Sequence, residues 1–166
     1  MMATPPVPDW FDADRAAFMQ SGVSMSLGAR DAGLRPSLTR GIGCRVLAGG
    51  ELRIFVDGTV SQALLRDIGA NGQLAAVFSD IVSHRTLQVK AVDARVQPLD
   101  ADDHLAVEAY EQRFGGAIVD QGYAESIPRA ILATAHAARV AIACHPREGF
   151  EQTPGPQAGQ PLEPRR

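Results

Sequence analysis

The 166 residues of this chain match the usual length of one domain, and 45% of them are apolar, which is enough for a hydrophobic core. The formal net charge of −3 argues against a nucleic-acid-binding protein, because phosphate contacts need clustered Lys and Arg. No apolar run approaches the length of a membrane span, and the N-terminus lacks the basic and apolar regions of a signal peptide. We therefore expect a cytoplasmic protein that contacts neither nucleic acid nor a membrane.

Residues 1–8 are rich in proline and are predicted to form a flexible lead. Asp9 can cap a helix over 10–21, with Gly22 as its C-terminal stop. Alternating apolar and small polar residues predict a strand over 23–28, followed by a turn and an extended segment over 35–47. Gly49-Gly50 then predicts a hairpin leading into a strand over 52–56.

The second half begins with apolar residues on one helical face over 60–68, and this helix ends at Gly69 or at Asn71-Gly72. Strands over 73–78 and 85–92 follow, and a continuation through 95–96 is left open. Acidic residues at 100–103 open another helix, which Gly115-Gly116 is expected to stop. A helix after Pro128, a strand over 139–144 and a Pro/Gly-rich tail over 151–166 complete the chain.

This order of elements predicts a mainly β fold with helices, of the α+β class. Most links between the predicted strands are too short for the helical crossovers of a parallel sheet, so an antiparallel barrel is favoured. The domain is expected to span residues 9–150, between the lead at 1–8 and the tail at 151–166.

Most common enzyme signatures and metal-ligand spacings are absent from the sequence. Cys44 and Cys144 lie far apart in apolar runs, which indicates buried free thiols. The four histidines have no metal-ligand spacing, so no metal is expected. The chain has no complete dinucleotide fingerprint, nucleophile elbow or phosphate loop, and no residue stands out as catalytic.

Polar residues within predicted strands form a candidate site for an anionic ligand. Period two places Thr86, Gln88 and Lys90 on one face of their strand, while Arg85 begins the other face. Arg40 lies within another extended segment, and guanidinium groups suit phosphate and carboxylate recognition.

A helix start supplies the remaining candidates. The segment Thr59-Val60-Ser61-Gln62 offers hydroxyls and free backbone N–H groups, which can seat a phosphate. A solvated barrel face with an ordinary helix cap explains these residues equally, and genome composition explains the preference for arginine. The residues alone leave both interpretations open.

The order of these features, from about residue 23 to residue 114, resembles the FMN-binding split barrel of pyridoxamine 5'-phosphate oxidase and related flavoproteins. A strand with Arg40 precedes a glycine hairpin and Phe55, the helix opening with Thr59 follows, and the polar strand over 84–90 comes next. The segment 150–156 resembles the tail of an uncharacterised subgroup of these proteins.

The resemblance implies an antiparallel split β-barrel with flanking helices, a homodimer with FMN between the subunits, and an oxidoreductase that transfers hydride at the flavin with a small molecule. Carried over to this chain, the cofactor-binding residues are Arg40 at the flavin or its phosphate side, Thr59, Ser61 and Gln62 at the phosphate, and Arg85, Thr86 and Gln88 along the cofactor. The helix opening lacks the consecutive basic residues of the oxidase, because Gln62 and Ala63 follow Ser61. Phosphate binding is therefore expected to depend on Arg85 and backbone donors.

Two alternatives remain on the same fold. One is a non-catalytic protein that holds flavin, haem or another planar ligand, and the other is a structural dimer without a ligand. Aromatic residues make up only 5% of the chain, which leaves little to stack on a flavin and favours exchangeable binding. The sequence has no counterpart of the basic residues with which the oxidase binds pyridoxal phosphate, so vitamin B6 oxidation is not expected.

Overall fold

A computed structural model describes residues 5–134 and 136–164 of the chain. In these residues the strands are β1 Ser24–Arg30, β2 Pro36–Arg40, β3 Cys44–Val46, β4 Leu52–Asp57, β5 Leu74–Ser79, β6 Thr86–Ala91, β7 Arg95–Gln97, β8 Arg139–Cys144 and β9 Glu148–Glu151. The α-helices are α1 Ala13–Met19, α2 Gln62–Asn71, α3 Ala101–Asp120 and α4 Ser126–Ile131, and a short 3₁₀ helix spans His136–Ala138.

The strands form two antiparallel sheets around a main hydrophobic core, and a smaller buried cluster consists of Ile42, Phe55, Val107 and Ala141. The five-stranded sheet has the order β2-β1-β5-β6-β9, and the four-stranded sheet has the order β3-β4-β8-β7. Every paired strand is antiparallel to its neighbour. The mainly β, α+β architecture of an antiparallel split barrel with flanking helices is therefore confirmed.

The predicted extended segment over 35–47 is two strands in different sheets. The chain leaves the five-stranded sheet after β2 and enters the four-stranded sheet at β3. Glycines allow this crossing, because a Cβ on Gly41 would lie 2.8 Å from the Cβ of Met25, and Gly43 has a φ of +138°. The predicted continuation through 95–96 is likewise a separate strand, β7, which pairs with β8.

Helix boundaries differ from the sequence prediction at identifiable residues. Asp12, rather than Asp9, caps α1, because its Oδ1 accepts the Arg15 backbone N–H at 2.8 Å. α3 continues through Gly115-Gly116 to Asp120, since two glycines cost only about 2 kcal/mol of helix propensity and the helix buries Phe114 before them and Ile118 after them.

The C-terminal tail folds back onto β6 and β9. β9, for which no strand was predicted, pairs with β6 between Leu87 and Lys90. The Thr86 backbone N–H donates to Thr153 Oγ1 at 2.9 Å, and Leu162 is buried. The domain boundaries remain a prediction, and residues 1–4 of the expected lead lie outside the described residues.

Candidate functional site

Four polar side chains form a row across the outer face of the five-stranded sheet, on the side that points away from the core. They are Arg40 of β2, Ser24 of β1, Ser79 of β5 and Thr86 of β6, and the strand register pairs Ser24 with Ser79 and Ser79 with Thr86. Arg40 Nη1 donates to Ser24 Oγ at 3.3 Å, and the Ser79 and Thr86 hydroxyls lie 2.7 Å apart. We call these four residues the polar row.

The rest of this outer face is open and carries mostly small side chains. Ser26 is exposed, and Leu38 beside it on β2 is 76% exposed. Gln88 lies one step along β6 from Thr86 on the same face, where its Oε1 accepts from Gln152 Nε2 at 3.3 Å. A flat face with polar groups along one end can accommodate a planar ligand or a second protein chain.

Arg40 is the charged member of the polar row. Its side chain is half-buried, and its guanidinium lies over the Phe114 ring at 5.0 Å from the centroid. Among the described residues it forms no ion pair with a carboxylate. A guanidinium has five N–H donors, so most of its donors remain available to a ligand.

Behind Phe114, the Tyr110 ring is stacked at a centroid distance of 5.3 Å. Burial raises the pKa of Tyr110, and its buried hydroxyl has no hydrogen-bond partner among the described residues. This hydroxyl is therefore neutral at physiological pH, and its desolvation is uncompensated.

The start of α2 is arranged differently from a dedicated phosphate site. Ser61 is buried and its Oγ lies 2.6 Å from Thr39 Oγ1, so it does not cap the helix. Thr59 and Gln62 are exposed. The Thr59 backbone N–H donates to the Asp57 carboxylate at 2.8 Å, which places a carboxylate beside the helix start. None of residues 57–63 is basic.

Arg85 lies on the opposite side of β6 from the polar row. Its Nη2 donates to Asp14 Oδ2 at 2.8 Å, and its guanidinium lies over the Phe18 ring at 4.3 Å. Both partners belong to α1. The guanidinium that was predicted to bind the cofactor is therefore engaged in contacts with α1.

The structure thus divides the predicted site residues into three groups. Arg40, Thr86 and Gln88 share the outer face. Thr59, Ser61 and Gln62 lie at the start of α2, where Ser61 contacts β2 from the opposite face, and Arg85 contacts α1. The other members of the polar row, Ser24 and Ser79, were not among the predicted site residues. Their small polar side chains at strand ends were a signal, but only the register shows that they are neighbours.

The residues of the outer face fit a flavin ring better than they fit its phosphate. An isoalloxazine ring has carbonyl oxygens and ring nitrogens along one edge, and Arg40 and Gln88 have N–H groups on this face. The Thr86 hydroxyl donates to the His84 carbonyl at 2.9 Å, so its proton is not available to a ligand. The start of α2 offers backbone N–H groups and the Thr59 hydroxyl. Asp57 opposes an anion there.

Two further findings concern metal binding and membrane-spanning helices. Within residues 5–134 and 136–164, no three His, Cys, Asp or Glu side chains come together in a way that could hold a metal ion. No helix in that part of the chain has both the length and the apolar character needed to cross a membrane.

Comparison with known proteins finds chains of similar structure but no family model or curated protein of similar sequence. A provisionally named pyridoxamine 5'-phosphate oxidase of Lactobacillus delbrueckii superimposes with a TM-score of 0.53 at 15% identity, over 86% of this chain and 95% of that one. HupZ of Group A Streptococcus superimposes with a TM-score of 0.50 at 14% identity, over 89% of this chain and 99% of HupZ. An F420 reductase superimposes with a TM-score of 0.50 at 19% identity, over 80% of this chain and 93% of the reductase.

Proposed function

We propose that this chain, which has the split-barrel fold of the pyridoxamine 5'-phosphate oxidase-like proteins, binds FMN on the outer face of its five-stranded sheet. The proposal includes a cytoplasmic homodimer that acts as an oxidoreductase on a small molecule. The polar row of Arg40, Ser24, Ser79 and Thr86 is the observation that carries the proposal. It is supported by the fold of the structural neighbours, one of which is named as a reductase.

The residues of the outer face would hold the ring. Gln88 and Thr86 supply an amide and a hydroxyl on adjacent same-face positions of β6, and Arg40 adds positive charge at the other end of the row. When bound, FMN supplies the hydride-transfer chemistry, while the protein supplies position and electrostatics. The positive charge of Arg40 would stabilise negative charge that develops on the ring edge.

A second copy of the chain would complete the site. Ser26 and the 76% exposed Leu38 leave the β1–β2 side of the outer face uncovered. A ligand on an open sheet would remain in contact with water on its other side, and a second subunit would exclude that water. The homodimer is therefore part of the same proposal.

The start of α2 would hold the phosphate mainly through backbone N–H groups. Thr59 and Gln62 are exposed there and can donate hydrogen bonds to it. Ser61 would act by positioning, because its hydroxyl is engaged with Thr39 and fixes α2 against β2. The Asp57 carboxylate weakens the attraction for a dianion, so we expect the ring to contribute more to FMN affinity than the phosphate does.

Non-catalytic binding of flavin, haem or another planar ligand is the second candidate function. It is favoured by the start of α2, where Asp57 is adjacent to Thr59 and no basic side chain is present in residues 57–63. A protein that binds a planar ligand without catalysing a reaction needs the open face, but it does not need a high-affinity phosphate site.

The visible absorbance spectrum of the purified protein tests the proposal. We expect flavin bands at about one per chain after addition of FMN and desalting, and oxidation of NADH or NADPH by the loaded protein. Gln88→Leu should lower FMN affinity about tenfold, as loss of one or two hydrogen bonds predicts, whereas the exposed helix variant Gln112→Leu should not. If no flavin is retained, the oxidoreductase proposal fails. Flavin retention without turnover of any donor supports the carrier function instead.

A further inference from the structure

A pocket of about 430 Å³ adjoins the Arg40 end of the polar row, beside the segment that joins α3 to α4. Its lining contains one charged side chain, one amide and otherwise apolar or aromatic groups. The lining residues are Arg40, Ile81, Phe114, Ile118, Gln121, Tyr123, Ile127 and Ile131. We call this the Arg40 pocket.

Arg40 gives the pocket a positive charge that its other lining residues do not balance. None of them is acidic. By contrast, the buried Arg139 pairs with Glu111 at 2.6 Å, and Arg53 pairs with the buried Asp103. Because half-buried charge is costly without a counter-ion, the Arg40 pocket is electrostatically complementary to an anion.

The contacts of Arg40 fix the guanidinium plane. Nη1 is held by Ser24 Oγ at 3.3 Å, and the Phe114 ring lies beneath the group. A planar fork held in this way matches the two oxygens of one carboxylate. A phosphate dianion would bring a second negative charge, for which this lining has no second cation.

The walls of the pocket require an apolar ligand body. Tyr123, Ile127 and Ile131 are 60%, 43% and 39% exposed, although all three are large apolar or aromatic residues. Phe114 and Ile118 form the buried part of the wall. A ligand with an apolar body would remove the three exposed side chains from water, which is favourable in proportion to the area covered.

We propose that the Arg40 pocket binds a small organic monocarboxylate with an apolar body, the carboxylate on Arg40 and the body against Phe114 and the α3–α4 side chains. Binding itself needs no flavin. The inference rests on the proposed function only in making this ligand the substrate beside the flavin. Arg40 can serve both ligands, because one of its five N–H donors is used by Ser24.

Isothermal titration of the full chain, first without flavin, tests the proposal with octanoate as the probe. Octanol and octylamine serve as the uncharged and the cationic analogues. We expect octanoate to bind at least tenfold more tightly than either analogue, which is the size of effect that a charge-assisted hydrogen bond gives. Equal affinities for octanoate and octanol, or no saturable octanoate binding, would overturn the proposal.

Two variants separate the charge from the apolar wall. Arg40→Gln should abolish the preference for octanoate over octanol, whereas Arg113→Gln, an exposed arginine that donates to the Gln20 carbonyl, should retain it. Ile127→Gln should weaken octanoate and octanol alike, and Leu105→Gln on the exposed surface of α3 should weaken neither. A preference that survives in Arg40→Gln, or that Arg113→Gln also loses, contradicts the assignment.

The same titration on FMN-loaded protein distinguishes the two proposals. Octanoate binding by a protein that retains no flavin leaves the pocket assignment intact and removes the proposed oxidoreductase. Flavin retention without octanoate binding removes the pocket assignment alone. If FMN and octanoate compete, or if octanoate binds the monomer but is excluded from the dimer, the pocket is occupied by the flavin or by the second copy, and the inference is wrong.

Discussion

Thr39 Oγ1 and Ser61 Oγ lie 2.6 Å apart, so the hydroxyl at the start of α2 is bonded to β2 instead of capping its own helix. The next residue of β2, Arg40, points to the opposite face of the sheet and reaches Ser24. One strand thus links the start of α2 to the polar row, and the two parts of the candidate site are held in fixed relation by consecutive residues.

The first prediction concerns Ser61→Ala. Removing this buried hydroxyl leaves the Thr39 hydroxyl without its partner, which should lower the free energy of unfolding by about 1–2 kcal/mol. FMN and riboflavin affinities should change by the same factor, because the hydroxyl holds α2 in place and does not itself bind the phosphate. Urea denaturation and flavin-fluorescence titration measure the two quantities, with Gln112→Ala on the exposed surface of α3 as the control. A loss confined to FMN would show that Ser61 binds the phosphate directly.

The second prediction is a gain of phosphate affinity. Gln62 is exposed at the first position of α2, and the adjacent segment carries Asp57 but no basic residue. Gln62→Arg should therefore strengthen FMN binding about five- to tenfold through one charge-assisted hydrogen bond, while riboflavin binding stays unchanged. The matched control is Gln112→Arg on the exposed surface of α3. Equal gains for FMN and riboflavin, or a gain in the control, would contradict a phosphate position at this helix start.

The third prediction concerns the role of Arg85 and compares it with its ion-pair partner Asp14. If Arg85 serves α1, then Arg85→Gln and Asp14→Asn should destabilise the protein similarly, by less than about 1 kcal/mol for the partly exposed ion pair. The arginine variant should lose up to about 1 kcal/mol more for its contact with Phe18. FMN affinity should be unchanged in both variants. A fall in FMN affinity in Arg85→Gln alone would support the cofactor role that the sequence predicts.

The fold could be predicted because its signals are local. The glycine hairpin at 49–50, the helix that ends at Gly72 and the alternation of β6 each depend on a few adjacent residues. The crossing between sheets at 41–43 was not predictable, because it depends on packing against Met25 and Phe55 from distant segments. β9 was missed because it is four residues long and has one large apolar side chain, Phe150.

The candidate site could be predicted only by residue type. Thr86 and Gln88 were identified from the alternation within one strand, which the structure retains. Ser24 and Ser79 were missed because they become neighbours only through the register between β1 and β5, which no local sequence pattern shows. The α1 partner of Arg85 lies 71 residues away, so its competing role was invisible in the sequence.

The last prediction concerns stability in acid and depends on a buried ion cluster at the start of α3. The Asp103 side chain is fully buried and accepts hydrogen bonds from Arg53 Nε at 3.1 Å and from Arg45 Nη1 at 2.7 Å. Burial opposes its ionisation, but the bonds from Arg53, the Asp100 backbone and Arg45 outweigh burial and lower the pKa of Asp103. This carboxylate therefore closes the reciprocal cap with Asp100 and pairs with Arg53 and Arg45, the second of which also pairs with Asp100 and Asp102.

Because the folded pKa of Asp103 is below its ordinary value of 3.8, the unfolded chain takes up the proton first as pH falls. The stabilisation is complete above about pH 5 and is lost as pH falls below about 4, through the folded pKa. Asp103→Asn should cost about 3–5 kcal/mol at pH 7, because the buried Arg53 then keeps only Glu51, 4.0 Å away, as a carboxylate partner. The same change should flatten the acid dependence. Urea denaturation at pH 7, 5, 4 and 3 measures this, and Asp102→Asn, whose side chain is 73% exposed, is the control. An acid slope as steep in Asp103→Asn as in the unchanged protein would show that another carboxylate controls stability at low pH.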